Sequence, residues 1–282
     1  MPFICCFYLL CVKSTQCLRK FYAKVLHIQK RCVTLLRKKI HKRESMMMED
    51  EKNIEKKYCY EYPHPSVTTD CVIFGFDGAQ LNVLLVQRGV EPYKGCWAFP
   101  GGFLKMDENA AAGARRELKE ETGMDTAYMR QLHTFSEPDR DPRERVVTIA
   151  YYALVKMQEV KGGDDAAAAR WFPIGDVPKL AFDHDLILRK AQQELRRQIH
   201  FEPIGFELLP EKFTVRALQN LYEAILGVKF DRRNFSNKMK KLGLLVLLDE
   251  AKHNTGGKNA QLFSFNEEKY KELKQKGFML EF

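Results

Sequence analysis

The chain has 282 residues, enough for two ordinary domains that each bury a core. Its formal charge of +9 points at first to a nucleic-acid binder, but the distribution excludes that reading for the chain as a whole. Residues 1–45 carry 11 Lys and Arg against one acid, Glu44, a net of +10 that leaves the remainder at −1. Five of the eight cysteines (Cys5, Cys6, Cys11, Cys17, Cys32) lie in the same stretch, and Cys59, Cys71 and Cys96 show no zinc-ligand spacing. Small buried thiols in a reducing cytoplasm are expected.

Residues 1–57 read as a basic tail. The longest apolar run, Phe3 to Val12, is too short to span a bilayer. Basic residues follow it and no small-residue cleavage site appears, so neither stable membrane insertion nor secretion is expected. The composition breaks at MMMEDEKNIEKK. A basic membrane-surface helix is one reading; the preferred one is an upstream extension of a protein that starts at Met46, Met47 or Met48.

A first folded domain is expected over residues 58–200. SVTTDCVIF (Ser66 to Phe74) and LNVLLVQ (Leu81 to Gln87) are β-rich, and Phe76-Asp77-Gly78-Ala79 between them is a hairpin turn. Trp97-Ala98-Phe99 gives a short strand ending in Pro100-Gly101-Gly102. The two glycines permit close backbone approach to a phosphate-metal cluster, but a strand-ending turn is the preferred role for at least one of them. Ala110 to Glu121 is rich in good helix formers, with Asn109 as N-cap and Gly123 as a left-handed stop. On that helix Glu117, Glu120 and Glu121 share one face. Three crowded carboxylates call for a cation, and hard oxygen ligands suit Mg²⁺ or Mn²⁺. Further strands follow near Tyr128 to Phe135, Arg145 to Val155 and Ala169 to Phe172, then a helix over Asp185 to Gln198 with Leu188, Ala191 and Leu195 on one face.

The stretch GFLKMDENAAAGARRELKEETGM fills every position of a known pattern: Gly102, Glu108, Arg116, Glu117, Glu120, Glu121 and Gly123. It resembles the signature box of the Nudix hydrolase superfamily. That resemblance implies an α/β/α sandwich with a mixed sheet and a metal held by Glu117, Glu120 and Glu121. It also implies that Arg116 fixes a box carboxylate, so that the catalytic set is Arg116, Glu117, Glu120 and Glu121. Pro138, fifteen residues after Gly123, looks like the mark of the ADP-ribose pyrophosphatase branch. Arg88, Arg140 and Arg143, with Gly101 and Gly102, are the candidate substrate-binding residues, because a guanidinium can grip phosphate oxygens in bidentate fashion. The competing reading makes Asp139, Arg140, Asp141 and Arg143 a solvated loop with internal pairs. Glu137, Glu144 or a box carboxylate is the candidate general base.

After a linker, Phe201 to Gly205, residues 203–282 read as a second domain. Thr214 caps a helix to Leu226, and Gly227 ends it. Asp231 caps a second helix, Arg232 to Leu242, with apolar Phe235, Met239 and Leu242. Its polar face offers Arg232, Arg233, Asn234, Asn237, Lys238 and Lys241 to DNA. Strands at Leu244 to Leu248 and Gln261 to Phe265 flank a wing loop containing Lys252, His253, Gly256, Gly257 and Lys258. This block resembles the winged helix-turn-helix domain of Nudix-related transcriptional regulators and is similar to arabinose-responsive regulators of the same build. The resemblance covers about residues 58–270 and implies a homodimer with double-stranded DNA as partner.

Two functions follow. The intact box favours Mg²⁺-dependent hydrolysis of a nucleoside diphosphate linked to another moiety, with ADP-ribose giving AMP and ribose 5-phosphate. The alternative is a transcriptional regulator whose Nudix domain senses a sugar or ADP-sugar without turning it over.

Overall fold

The computed structural model describes residues 60–126, 128–158, 160, 166–252, 260–277 and 280. The basic tail, and His253, Gly256, Gly257 and Lys258 of the expected wing, lie outside them. The body described below is the unit that begins at His64.

Its frame is a mixed sheet built around β1 (Ser66–Phe76). β1 runs antiparallel to β2 (Leu81–Arg88) and parallel to β6 (Val146–Leu154), and β5 (Met129–Phe135) adds to β6. β3 (Trp97–Ala98) and β7 (Ala166–Pro173) both pair with β2, and β4 (Gly101–Phe103) pairs with the first half of β1. β1 therefore changes partner along its length, from β4 at Thr68 to Asp70 to β2 at Ile73 to Phe76. The parting of β4 from β2 opens a cleft beside the centre of the sheet.

The side-chain alternation of β1 decides the layers. Cys71 and Ile73 face α1 (Ala110–Thr122) and pack with Leu84, Ala114, Leu118 and Tyr151. Val72 and Phe74 face the other way, toward α2 (His184–Gln198), and pack with Val83, Leu85, Tyr152, Ile187 and Leu195. With both faces covered, the strands read as near-continuous apolar runs. Leu118 is 1% exposed, so its truncation to Ala would cost about 2–5 kcal/mol. The α/β/α sandwich expected from the sequence is the fold observed.

The caps act as their residue types dictate. The Asn109 side chain accepts from the Ala112 N–H, and Gly123 takes a left-handed φ of 69° while donating to the Lys119 carbonyl. Thr214 caps α3 (Val215–Leu226) and Asp231 caps α4 (Arg232–Lys241) in the same way. β8 (Leu245–Lys252) and β9 (Ala260–Phe265) form the two-stranded sheet that completes a winged helix. A final helix, α5 (Glu267–Gln275), was not expected. Only Tyr270 and Leu273 in it are apolar, too few for a readable stripe, and none of its residues is buried.

The stretch expected to be a linker is a packed joint. Ile204 is 3% exposed and shares one core with α2, α3 and Phe263. Gly205 has φ 100°, and a Cβ there would approach Leu221 to 3.2 Å. A left-handed, side-chain-free residue is what lets the backbone lie against α3.

Candidate active site

Arg116 on α1 organises the box. Its Nε and Nη2 donate to the two oxygens of Glu108 at 3.0 and 2.6 Å, while Nη1 reaches Glu117 at 2.6 Å and Glu120 at 2.8 Å. One cation thus offsets three carboxylates that would otherwise repel. The Arg116 hydrogen bond holds the Glu108 carboxyl down to about 2. Glu117 moves the other way: burial raises it, and Arg116 only partly opposes that. Glu121 accepts the Gly101 N–H at 3.0 Å.

Glu117 and Glu121 line a cleft of about 360 Å³, together with Gly101, Gly102 and Arg88. Glu120 does not line it and its side chain is 54% exposed, although its Oε2 shares the Arg116 Nη1 donor with Glu117. No group of three or more His, Cys, Asp or Glu among the described residues is close enough to hold a metal ion. The two cleft-facing carboxylates are the donors that suit a hard divalent cation, and the raised Glu117 marks a place where added positive charge is favourable.

Both glycines lie where a side chain would crowd a neighbour, Gly101 against backbone that cannot give and Gly102 against the mobile end of Glu117. A Cβ on Gly102 would lie 2.4 Å from Glu117 Oε1, and one on Gly101 would lie 2.2 Å from the Thr69 carbonyl oxygen. Neither merely turns the chain, since both belong to β4.

The three candidate arginines separate sharply. Arg140 is buried and gives a bidentate bond to Asp183, with Nη2 2.7 Å from Oδ1 and Nε 3.1 Å from Oδ2, so it is committed to the scaffold. Arg143 is tied to Asp141 through Nε at 3.0 Å and Nη2 at 2.7 Å. The loop is not simply solvated, since Arg140 and Asp141 are buried in it, and Arg143–Asp141 is its internal pair. Arg88 differs from both. Its Nε donates to the Pro92 carbonyl at 2.8 Å, and among the described residues no carboxylate pairs with it. Burial, then the nearby Arg143, pushes its pKa down. A half-buried guanidinium in a cleft without a carboxylate partner is suited to an anion. Of the expected bases outside the box, Glu144 accepts from Ser66 Oγ at 2.7 Å, and neither Glu137 nor Glu144 lines the cleft.

The cleft also holds Asp70 and His184, which no motif in the sequence marks. Asp70 on β1 accepts from Thr148 Oγ1 at 2.7 Å. His184 stacks on Phe99 at 5.1 Å, and its Nδ1 accepts the Phe99 N–H at 3.0 Å. That bond places the neutral imidazole's proton on Nε2, which lies 3.6 Å from Asp70 Oδ1. Burial pushes the His184 pKa down against the pull of Asp70. The detectable signal was Asp70 itself, a lone charge inside an apolar strand.

In the winged helix, Phe235 and Met239 bury one face of α4, and Phe235 meets Tyr222 edge to face at 5.7 Å. Arg232, Arg233, Asn234, Asn237 and Lys241 are exposed, while Lys238 is half-buried.

Fold and site together define a Nudix domain followed by a winged helix, and comparison with known proteins gives the same class. The NUDIX domain model matches residues 64–191, and the model of the NrtR DNA-binding winged helix domain matches residues 205–265. An ADPR responsive transcriptional repressor, NtrR, from Acinetobacter baylyi is 36% identical over 213 residues, 73% of this chain and 84% of the repressor. An ADP-ribose pyrophosphatase from Methanocaldococcus jannaschii is 41% identical over 128 residues, 45% of this chain and 73% of that enzyme. The solved structure of Shewanella oneidensis NrtR complexed with a 27mer DNA superposes with a TM-score of 0.64 at 28% identity, covering 76% of this chain and 97% of that one. The chain belongs to the family of Nudix proteins that carry an NrtR-type DNA-binding winged helix.

Proposed function

We propose that the protein binds and hydrolyses a nucleoside diphosphate sugar of the ADP-ribose class in the cleft, and binds double-stranded DNA as a dimer through α4. The observation that carries the first half is a complete box whose Glu117 and Glu121 line one cleft with the Arg88 guanidinium. A diphosphate has the charge to sit between them once a cation covers the carboxylates. In the reaction, water attacks one phosphorus, the anhydride P–O bond breaks, and the displaced phosphate leaves with that oxygen; ADP-ribose gives AMP and ribose 5-phosphate. Glu117 and Glu121 would hold Mg²⁺ or Mn²⁺, which when bound neutralises phosphate charge and makes a bound water more acidic. Arg116 orients Glu117, and Gly101 keeps Glu121 aimed into the cleft.

The second reading is a regulator that binds the ADP-sugar without cleaving it. It is favoured by the ion pairs that already engage Glu117 and Glu120, and by similarity to a repressor along most of that repressor's length. A panel of nucleoside diphosphate compounds, offered with Mg²⁺ and followed by calorimetry and by nucleotide release, separates the two. Catalytic AMP release from ADP-ribose is expected; saturable binding without release would support the regulator alone, and no binding to any member would refute both.

A further inference from the structure

Among the described residues, two that are not glycine have a left-handed backbone: Tyr93 at φ 64° and Phe182 at φ 53°. Bulky side chains rarely adopt that region. The two residues lie on separate segments, one between β2 and β3 and the other entering α2, yet their rings meet edge to face at 4.8 Å. Such conformations persist when the surroundings over-determine them, and they cluster at ligand sites. Here the surroundings do. The Ala181 N–H donates to the Trp97 carbonyl, the Ala181 carbonyl accepts from His184, and Arg140 grips Asp183, so the turn around Phe182 is held on both sides. On the other segment, the Tyr93 carbonyl accepts from Cys96 and the Pro92 carbonyl accepts from Arg88.

The result is a phenyl ring in the cleft wall with the Arg88 guanidinium carbon 4.8 Å from its centroid and that of Arg143 at 5.8 Å. We propose that Phe182 is a positioning residue that presents the Arg88 guanidinium to the diphosphate of the ligand. An arginine in a cleft needs something to fix its direction. A carboxylate would do so but would compete with an anionic ligand for the same donors. A ring orients the guanidinium through its π-face and leaves the Nη donors for ligand oxygens. Tyr93 braces the ring from its edge. This inference rests on the proposed ligand class, and the experiment keeps the two apart.

The full chain is titrated calorimetrically with ADP-ribose and, separately, with inorganic pyrophosphate. The variants are Phe182→Ala, Phe182→Gly, Phe182→Tyr, Arg88→Gln and the Phe182→Ala/Arg88→Gln double. Loss of the ring is expected to weaken both ligands by about tenfold, equally in the Ala and Gly variants. The Gly variant nevertheless melts above the Ala variant, because only glycine accepts that φ freely. Phe182→Tyr stays within about twofold of wild type, and in the Arg88→Gln background removal of the ring adds less than about twofold. Affinity that follows melting temperature, with Gly restoring what Ala loses, would show a merely structural residue and overturn the proposal, as would additive losses in the double variant. Pyrophosphate binding with this pattern but no ADP-ribose binding sustains the anchor and refutes the ligand class. Binding of neither ligand by the wild type overturns both.

Discussion

Replacing Arg140 by Met tests whether that arginine belongs to the scaffold or to the ligand. Its side chain is 3% exposed and its partner, Asp183, 18% exposed, with Asp70 as a second carboxylate 3.6 Å away. Removing one partner of a buried pair strands the other charge, at a cost of about 3–5 kcal/mol. The partial exposure of Asp183 puts the expected loss at the lower end, about 3 kcal/mol. For a body of this size that lowers Tm by about 6–12 °C. Adding Asp183→Asn should recover part of the loss, because the stranded charge disappears. Thermal and urea unfolding of the wild type, both single variants and the double measure this directly. An unchanged Tm, with ADP-ribose affinity lost, would refute the scaffold assignment and restore Arg140 as a phosphate clamp.

Glu117→Gln and Glu121→Gln are expected to lower turnover by about 10²- to 10³-fold, with a smaller effect from Glu120→Gln, the more exposed carboxylate; equal losses at all three would show that Glu120 acts in the cleft. Gly101→Ala should cost about 1–3 kcal/mol of stability, since its Cβ would meet a backbone oxygen that cannot swing away, whereas Gly102→Ala displaces the Glu117 carboxylate and should reduce turnover more than Tm. Glu108 is held down to about 2 in the folded protein, so its contribution to stability is present above the ordinary carboxylate range and is lost as pH falls toward that value. Acid titrations of wild type and Glu108→Gln should therefore converge at low pH, and parallel curves would contradict this. Arg232→Ala with Arg233→Ala should reduce the salt dependence of DNA binding by about two phosphate contacts and leave ADP-ribose affinity unchanged.

The elements most legible in the sequence were those determined locally. α1 could be placed because its cap, its helix formers and its stop glycine are adjacent in the chain, and the same holds for α3 and α4. What is not legible there is set by distant partners. Arg140 reads as a solvated or phosphate-gripping charge until Asp183, on a separate segment, closes on it. Asp70 and His184 meet only because β1 takes the centre of the sheet and α2 docks across it. Phe182 carries no sequence signal, since its role follows from a backbone angle imposed by its surroundings. The joint at Ile204 looked like a linker because proline and glycine flank it, while its burial depends on α3.

The central claim is that one cleft both holds and cleaves the diphosphate, and phosphorus NMR of ADP-ribose with catalytic protein and Mg²⁺ tests it most directly. The diphosphate signals are expected to give way to two phosphomonoester signals at equal rates, and Glu121→Gln to leave the diphosphate intact. A diphosphate that broadens on binding and then persists with the wild-type protein would contradict it, and would make the cleft a sensor.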